Sequence, residues 1–257
     1  LAACSPKTET ETAAAPAAKT YTVGWTIYAG WMPWPYAEQA GIVKKWSDKY
    51  GVDIKVVQIN DYVESLNQFT AGKLDAVTST NMDALTIPAA AGKDTTFVMI
   101  GDYSNGNDGI VIRGGKSIAD LKGRDVLIVE LSVSHYMLSR ALTANGLSER
   151  DVKIVNTSDA DIAAAFIAQP KAAVVTWNPP LQKVRQQKDA QLVYDSSKIP
   201  GEILDLMVFK TNADVRLKKA LVGSWYETMN AMSAGGQAQR TAIAAMAKSA
   251  GGTEAEF

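Results

Sequence analysis

Aromatic and acidic side chains follow the predicted β-strands of this sequence, at the positions where a ligand site is expected. In open α/β sheets, ligands bind at the carboxyl ends of the strands. The residues at these ends that could contact a ligand are Tyr28, Trp31, Trp34, Thr80, Asn81, Asp83, Glu130, Ser132, Trp177, Asn178 and Asp205. Aromatic rings attract cations through their faces, and carboxylates accept paired N–H donors in one plane. The set therefore predicts a site for a small planar cation.

The aromatic residues near the N-terminus do not follow the pattern of a buried helix. Their spacing of three would suit a helical stripe, but Pro33 and Pro35 exclude a helix interior. Trp25 lies within the first predicted strand and is assigned to the core, whereas Tyr36 begins a helix and is left unassigned. The remaining rings are predicted to form one wall of the cation site; they are Tyr28, Trp31 and Trp34.

Glu130 ends a predicted strand and precedes the helix that begins at about Ser132. A helix N-terminus ordinarily attracts anions, so a carboxylate at that position favours a cation. The alternative is structural: Glu130 and Asp205 would cap helices or pair with surface lysines, and the tryptophans would only pack the fold.

Motifs for catalysis or metal binding are scarce. His135 is the only histidine, Cys4 is the only cysteine, and no glycine pattern surrounds a candidate serine nucleophile. A polar stretch at residues 102–108 could bind calcium, but its spacing and the missing bidentate glutamate favour a polar turn. We therefore predict a binding protein without cofactor or metal.

Composition narrows the class of protein further. The 257 residues are 47% hydrophobic and carry a formal net charge of -1 without a basic run. Nucleic-acid binding requires clustered Lys and Arg, so no nucleic-acid partner is predicted. The length suits two lobes of ordinary size, and no apolar stretch is long enough to span a bilayer.

The sequence LAAC at the N-terminus has the form of a bacterial lipobox, in which Cys4 would be lipidated after cleavage of a signal peptide. Residues 1–20 are therefore interpreted as a lipobox and a flexible tether, because they are rich in Ala, Thr and Glu. The alternative is that Cys4 is an incidental thiol. A lipid anchor would place the folded part at a membrane surface outside the cytoplasm.

Strand and helix patterns alternate along the rest of the chain, which predicts an α/β fold with parallel-rich sheets. The pattern restarts near Arg113, and two passages, FTAGKLDAVTSTN and FIAQPKAAVVTWN, resemble each other. We predict that lobe I comprises residues 21–112 and 206–257 and that lobe II comprises residues 113–205. The two connections, near Arg113 and Asp205, would form a hinge beside a ligand cleft.

Several motifs also carry a family resemblance. The stretches AGKLDAV, LKGRDVLI, GLSERDVKIV and WNPPL, together with the lipobox, resemble solute-binding lipoproteins of nitrate-, sulfonate- and taurine-type ABC importers. Longer blocks, such as VELSVSHYML and IPGEILDLMV, are similar to a branch linked to urea carboxylase and guanidine breakdown. That branch usually continues beyond GGTEAEF, so the C-terminal part of lobe I is expected to be truncated.

The resemblance implies a two-lobed, type II-like periplasmic binding protein fold. It also implies a monomer in the periplasm or on the outer face of the cytoplasmic membrane, with an ABC permease as partner. Combined with the strand-end residues, it predicts guanidinium as ligand. Urea or another small amide or amine, and a sulfonate- or nitrate-type anion, remain alternatives. A thiamin-pyrimidine-synthase-like enzyme shares the fold, but the expected cysteine and histidine cluster is absent from the sequence.

Overall fold

The computed structural model describes residues 19–254, which form two α/β lobes. In this part of the chain the strands are β1 (Thr20–Trp25), β2 (Asp53–Gln58), β3 (Ala76–Thr80), β4 (Thr95–Tyr103), β5 (Asp108–Arg113), β6 (Asp125–Ile128), β7 (Lys153–Asn156), β8 (Ala173–Trp177), β9 (Ala190–Asp195) and β10 (Leu204–Lys210). Lobe I is built on a sheet of order β2-β1-β3-β10-β4, and lobe II on a sheet of order β7-β6-β8-β5-β9. The two-lobed α/β fold predicted from the sequence is confirmed.

Each sheet combines parallel strands with one antiparallel strand, which lies fourth in the order, next to an edge strand. In lobe I, β10 pairs antiparallel with β3 and β4. In lobe II, β5 pairs antiparallel with β8 and β9. The chain enters lobe II through β5 and returns to lobe I through β10. Because both strands are antiparallel to their neighbours, each begins at the edge of the sheet where the neighbouring parallel strands end.

The first connection between the lobes lies earlier than predicted. Because β5 belongs to the sheet of lobe II, the chain changes lobe at residues 104–107 and not at Arg113. Only four residues separate β4 from β5, a spacing typical of a hairpin, but the two strands belong to different sheets. The second connection covers residues 196–203, so Asp205 lies on β10 in lobe I.

The helices of the described residues are α1 (Pro33–Gln39), α2 (Ile42–Tyr50), α3 (Tyr62–Thr70), α4 (Asn81–Ala84), α5 (Val133–Ala144), α6 (Ile162–Ala168), α7 (Pro180–Arg185), α8 (Val215–Ser233) and α9 (Gly236–Ser249). The expectation of a non-helical aromatic loop is only partly met. A 3₁₀ turn covers Ala29–Trp31, but α1 begins at Pro33. Both prolines fit there because the first turn of a helix leaves its N–H groups unpaired.

Local signals fix the starts of other elements. The Asp61 carboxylate accepts a hydrogen bond from the backbone N–H of Glu64 and caps α3, as predicted. Ser117 and Asp120 form the predicted capping box, although the turn that follows is a 3₁₀ helix. Pro88 lies in a π-helical stretch, Leu85–Ala89, which ends the helix that begins at Asn81.

The C-terminal helices pack on lobe I, as predicted. Helix α8 contacts α1 and α2, and α9 contacts α1 and α8. The ring of Trp225 on α8 lies 5.2 Å from that of Trp34. The predicted core residue Trp25 is buried in an apolar cluster with Met32 and with Met246 of α9. Among residues 19–254, none of the helices has the length and apolar character needed to span a bilayer.

Candidate functional site

A small cavity lies between the lobes beneath the two connections. The empty space among its lining residues, including the part open to solvent, is about 230 Å³, and all of these residues are buried. The lining residues are Tyr28, Trp31, Tyr62, Thr80, Asp108, Val133, Trp177, Ile203 and Asp205. Both lobes and the second connection contribute, so the cavity is closed on several sides.

Strand direction explains why these residues meet. Thr80 and Trp177 end the parallel strands β3 and β8. Asp205, near the start of antiparallel β10, is paired in register with Thr80, and Asp108, at the start of β5, is paired with Trp177. The carboxyl ends of parallel strands and the first residues of antiparallel strands therefore share one edge, which faces the cavity.

Four aromatic rings form a continuous wall of the cavity. Ring centroids are separated by 5.1 Å between Tyr28 and Trp31, 5.3 Å between Trp31 and Tyr62, and 5.7 Å between Tyr62 and Trp177. The Trp177 indole N–H donates to the carbonyl of Ile27 at 3.3 Å, which fixes this lobe II ring against lobe I. The faces and edges of these rings offer a planar ligand several stacking surfaces.

Asp205 is the cavity residue whose two carboxyl oxygens are both buried without a hydrogen-bond partner. Its side chain is 2% exposed, and neither carboxylate oxygen has a hydrogen-bond partner. Burial raises its pKa well above the usual value, and the nearby Asp108 and Asp102 raise it further, while Tyr28 and Trp31 lower it. The Tyr28 hydroxyl and the Trp31 indole N–H, through which these residues lower the pKa of Asp205, are buried without a hydrogen-bond partner as well.

Gly30 allows these groups to converge. A Cβ atom at this position would lie 2.8 Å from Cε1 of Tyr28, 3.2 Å from Oδ2 of Asp102 and 3.3 Å from Oδ2 of Asp205. A side chain here would therefore push the Tyr28 ring away from the carboxylates. Asp102 is the cross-strand partner of Asp205 and is only partly buried, so it brings further negative charge to this wall.

Asp108 joins the cavity to the hinge. Its Oδ2 accepts a hydrogen bond from the hydroxyl of Ser104 in the first connection, and the Ser104 hydroxyl lies 2.8 Å from that of Ser196 in the second. Its Oδ1 is buried without a partner. Burial raises the pKa of Asp108 to about 7, against the lowering effect of Ser104. A ligand that bonds Oδ1 would therefore act directly on the segments that connect the lobes.

Asp83 lies beside the cavity and links the two lobes. Its Oδ2 accepts from the Tyr62 hydroxyl at 2.7 Å and from the backbone N–H of Val133, the first residue of α5, at 2.9 Å. Burial raises its pKa to about 6, while the bonds from Tyr62, Thr80 and Val133 lower it. These bonds place a third carboxylate close enough to Asp108 to raise the pKa of that residue.

No lysine, arginine or histidine lines the cavity in the described residues. Oδ1 of Asp108 and both carboxyl oxygens of Asp205 thus have neither a hydrogen-bond partner nor a basic side chain beside them. Within residues 19–254 no group of His, Cys, Asp and Glu side chains is arranged to hold a metal ion. The cavity therefore offers a ligand free carboxyl oxygens and aromatic rings, and no basic side chain.

Several residues from the predicted site lie outside the cavity and have structural partners. The Asn81 side chain bonds the carbonyl of Glu202 and the N–H of Leu204, which holds the second connection to lobe I. Asn178 bonds Asn107 through its side-chain amide and its backbone N–H.

Two other predicted site residues have structural roles. Ser132 caps α5 by accepting a hydrogen bond from the N–H of Ser134, and Trp34 packs on Trp225.

Glu130 also lies outside the cavity, in contrast to our expectation. Its side chain is only partly buried, and its backbone N–H donates to the Asn156 side chain at 3.0 Å. Asn156 ends the edge strand β7, whereas the cavity lies over β8 and β5. Leu131, with a φ of 62°, then turns the chain before α5. The carboxylates of the site are supplied instead by Asp83, Asp108 and Asp205.

Four cavity residues were missed by the strand-end rule: Tyr62, Asp108, Val133 and Ile203. Tyr62 and Val133 are the first residues of α3 and α5, and helix starts share the edge with strand ends. Asp108 opens an antiparallel strand, whereas the sequence pattern predicts a polar turn at this position. The sequence feature that could have indicated Asp108 is its position directly before the apolar run GIVI, which forms a buried strand. The predicted lipidation site, Cys4, lies outside the described residues.

The two lobes, their two connections and the enclosed cavity define a periplasmic binding protein fold. Residues 43–222 match the family model described as "NMT1/THI5 like", which covers more than half of the chain, and the chain belongs to this family. The sequence has no significant match among curated proteins.

Solved structures of binding proteins share the fold at low sequence identity. The alkanesulfonate-binding protein SsuA of Xanthomonas axonopodis pv. citri, bound to MOPS, superposes with a TM-score of 0.78 at 20% identity, covering 95% of this chain and 83% of that one. The aliphatic sulphonate-binding protein SsuA of Escherichia coli gives 0.77 at 20% identity, with coverages of 93% and 81%. The nitrate-binding protein NrtA of Synechocystis PCC 6803 gives 0.74 at 14% identity, with coverages of 95% and 70%.

Proposed function

We propose that this protein is the solute-binding component of an ABC importer and that it encloses guanidinium between its lobes. The observation that carries the ligand assignment is Asp205, which is buried with both carboxylate oxygens unpartnered in a cavity that no basic side chain lines. The fold shared with sulfonate- and nitrate-binding proteins supports the transport role. On this proposal the protein is not an enzyme, and its partner is a membrane permease.

The chemistry of guanidinium matches the groups of the cavity. Guanidinium is a flat cation with N–H donors along every edge, and a carboxylate accepts two such donors in a planar fork. The free acceptors are Oδ1 of Asp108 and both oxygens of Asp205. The rings of Tyr28, Trp31, Tyr62 and Trp177 offer faces to the π-system of the cation, and each desolvated contact contributes up to about 2 kcal/mol.

The alternative ligands fit the site less well. A sulfonate or nitrate would be repelled by the ionised forms of these carboxyl groups, and burying like charges together is costly. Urea has a similar shape, but as a neutral molecule it would leave the carboxylate charge unpaired. The small volume also favours a ligand of few atoms.

The charge of Asp205 provides the test. Asp205→Asn keeps the shape but removes the charge, and loss of one partner of a buried charge pair costs about 2–5 kcal/mol. Calorimetry should therefore show guanidinium affinity lowered by about a hundredfold, with a smaller difference between guanidinium and urea. Glu130→Gln is the matched control, because it neutralises a carboxylate outside the cavity and should change affinity by less than about threefold. Equal effects of the two substitutions would contradict the proposal.

A further inference from the structure

The backbone N–H groups at the N-terminus of α5 are all hydrogen-bonded within the protein, whereas the buried Ser134 hydroxyl has no partner. The N–H of Leu131 bonds Nδ1 of His135 at 3.2 Å, and that of Ser134 bonds the Ser132 hydroxyl at 3.2 Å. The N–H groups of His135 and Tyr136 bond the carbonyl of Ser132. The remaining donor, Val133 N–H, points across the lobe boundary to the Asp83 carboxylate at 2.9 Å.

Asp83 is held there by lobe I. Its side chain is 1% exposed, and Oδ2 also accepts from the Tyr62 hydroxyl. The backbone N–H of Asp83 bonds the hydroxyl of Thr80, which caps α4. Because Val133, Tyr62 and Thr80 all line the cavity, the carboxylate occupies a place at its margin, next to the space where a ligand would lie.

A helix N-terminus concentrates partial positive charge and unpaired N–H groups, which is the usual basis of anion binding. Here a residue of the opposite lobe supplies that anion. Its position has two effects. The backbone N–H donors of the α5 N-terminus are already bonded, and the negative charge of ionised Asp83 lies beside the carboxyl group of Asp108.

We propose that Asp83 is a specificity-determining residue that acts as an internal anion, occupying the α5 N-terminus and thereby excluding anionic solutes from the site. The inference rests on the proposed binding of a cation and deepens it. It assigns the rejection of anions to one carboxylate at the lobe boundary, separate from the carboxylates that contact the ligand.

Removal of the Asp83 side chain should expose a latent anion site. In Asp83→Ala the N–H of Val133 and the hydroxyl of Tyr62 would lose their acceptor, and both are buried donors. Unpaired buried donors favour any small acceptor that can reach them. Formate carries the same carboxylate group that the substitution removes, so it is the appropriate probe.

The experiment compares two variants that differ only at Asp83. The control is Asp108→Asn/Asp205→Asn, which neutralises the ligand-facing carboxylates and leaves the α5 N-terminus occupied. The test variant adds Asp83→Ala. Calorimetric titration with sodium formate, at constant ionic strength, should show at least tenfold tighter binding to the test variant than to the control. Circular dichroism establishes that both are folded.

Equal formate affinity in two folded variants would overturn the inference. If the triple variant does not fold, Asp83→Ala alone is compared with the parent at pH 7, where Asp83, whose pKa burial raises to about 6, is ionised in the parent. The same tenfold gain is expected there, and no gain would again overturn the inference. Titration of the parent with guanidinium is a separate measurement. Failure of guanidinium binding together with a gain in formate affinity would refute the cation ligand but not the role of Asp83 in occupying the helix.

Discussion

The buried carboxyl groups should make the ligand-free protein less stable as the pH rises. Burial raises the pKa of Asp108 from an ordinary value near 3.8 to about 7. Between these two values the folded protein retains a proton that the unfolded chain has lost. Raising the pH through this window therefore favours the unfolded chain, and the loss of stability is complete only above pH 7.

The size of the effect follows from the two pKa values of Asp108. A pKa difference of one unit corresponds to about 1.36 kcal/mol. Integrated from pH 5 to pH 7.5, Asp108 alone lowers the free energy of unfolding by about 2.5 kcal/mol. For a chain of this size, that is a decrease of about 5–10 °C in Tm. Asp83 and Asp159, whose pKa values burial raises to about 6, act in the same direction.

Carboxylates with lowered pKa values do not reverse this trend. The bonds from Arg140 and Tyr136 lower the pKa of Glu202 to about 2, and Arg216 lowers that of Asp214. The stability that these groups contribute is lost only as the pH falls through their folded-state pKa values. Both are therefore ionised, in the folded and the unfolded protein, over most of the range from pH 5 to pH 7.5.

Differential scanning calorimetry of the ligand-free protein at pH 5 and pH 7.5 tests this reasoning. Asp108→Asn should remove about 2.5 kcal/mol of the pH dependence and raise Tm at pH 7.5. Asp94→Asn is the control, because Asp94 is exposed and should leave the profile unchanged. A parent whose Tm is constant or rises from pH 5 to pH 7.5, with the same profile in Asp108→Asn, would refute the assignment of buried, uncompensated carboxyl groups.

Three further predictions concern the aromatic wall, the close approach at Gly30 and the anchor. Trp177→Ala should weaken guanidinium binding by more than tenfold, since one desolvated cation–π contact is worth about 2 kcal/mol. Titration followed by tryptophan fluorescence measures this change. Unchanged affinity in a folded variant would show that Trp177 does not contact the ligand. Gly30→Ala should lower affinity by tenfold or more, because the new methyl group displaces the Tyr28 ring, and calorimetry that shows parental affinity would contradict this. Cys4→Ser should release the protein from membranes without changing its affinity, and membrane fractionation that still retains the variant would argue against lipidation.

The sequence was informative about the site wherever a parallel strand ended at the cleft. Thr80 and Trp177 end β3 and β8 at the cavity, and Tyr28 and Trp31, which follow β1, also line it. Asp205 was found from the connection between the lobes. The same rule failed for Glu130, because the end of β6 is bonded toward the edge strand β7 and away from the cavity. Strand ends thus indicate the correct edge of a sheet, but not which strands lie beneath the cavity.

The remaining cavity residues could not be predicted without knowing strand direction. Asp108 begins its strand, and a first residue reaches the cleft only because β5 is antiparallel to β8. The local pattern does not distinguish this from a hairpin with β4. The role of Asp83 depends on a contact between residues 50 positions apart in different lobes. Such a contact follows from how the lobes meet and not from any local spacing.

The central claim is that the enclosed site binds a planar cation, and calorimetric titration of the parent protein with guanidinium, urea, nitrate and taurine tests it most directly. Guanidinium should bind at least about a hundredfold more tightly than urea, because only a cation compensates Asp108 and Asp205, which corresponds to a difference of about 2.7 kcal/mol. Nitrate and taurine should show no measurable binding under the same conditions. A parent that binds nitrate, taurine or urea as tightly as guanidinium, or more tightly, would contradict the account.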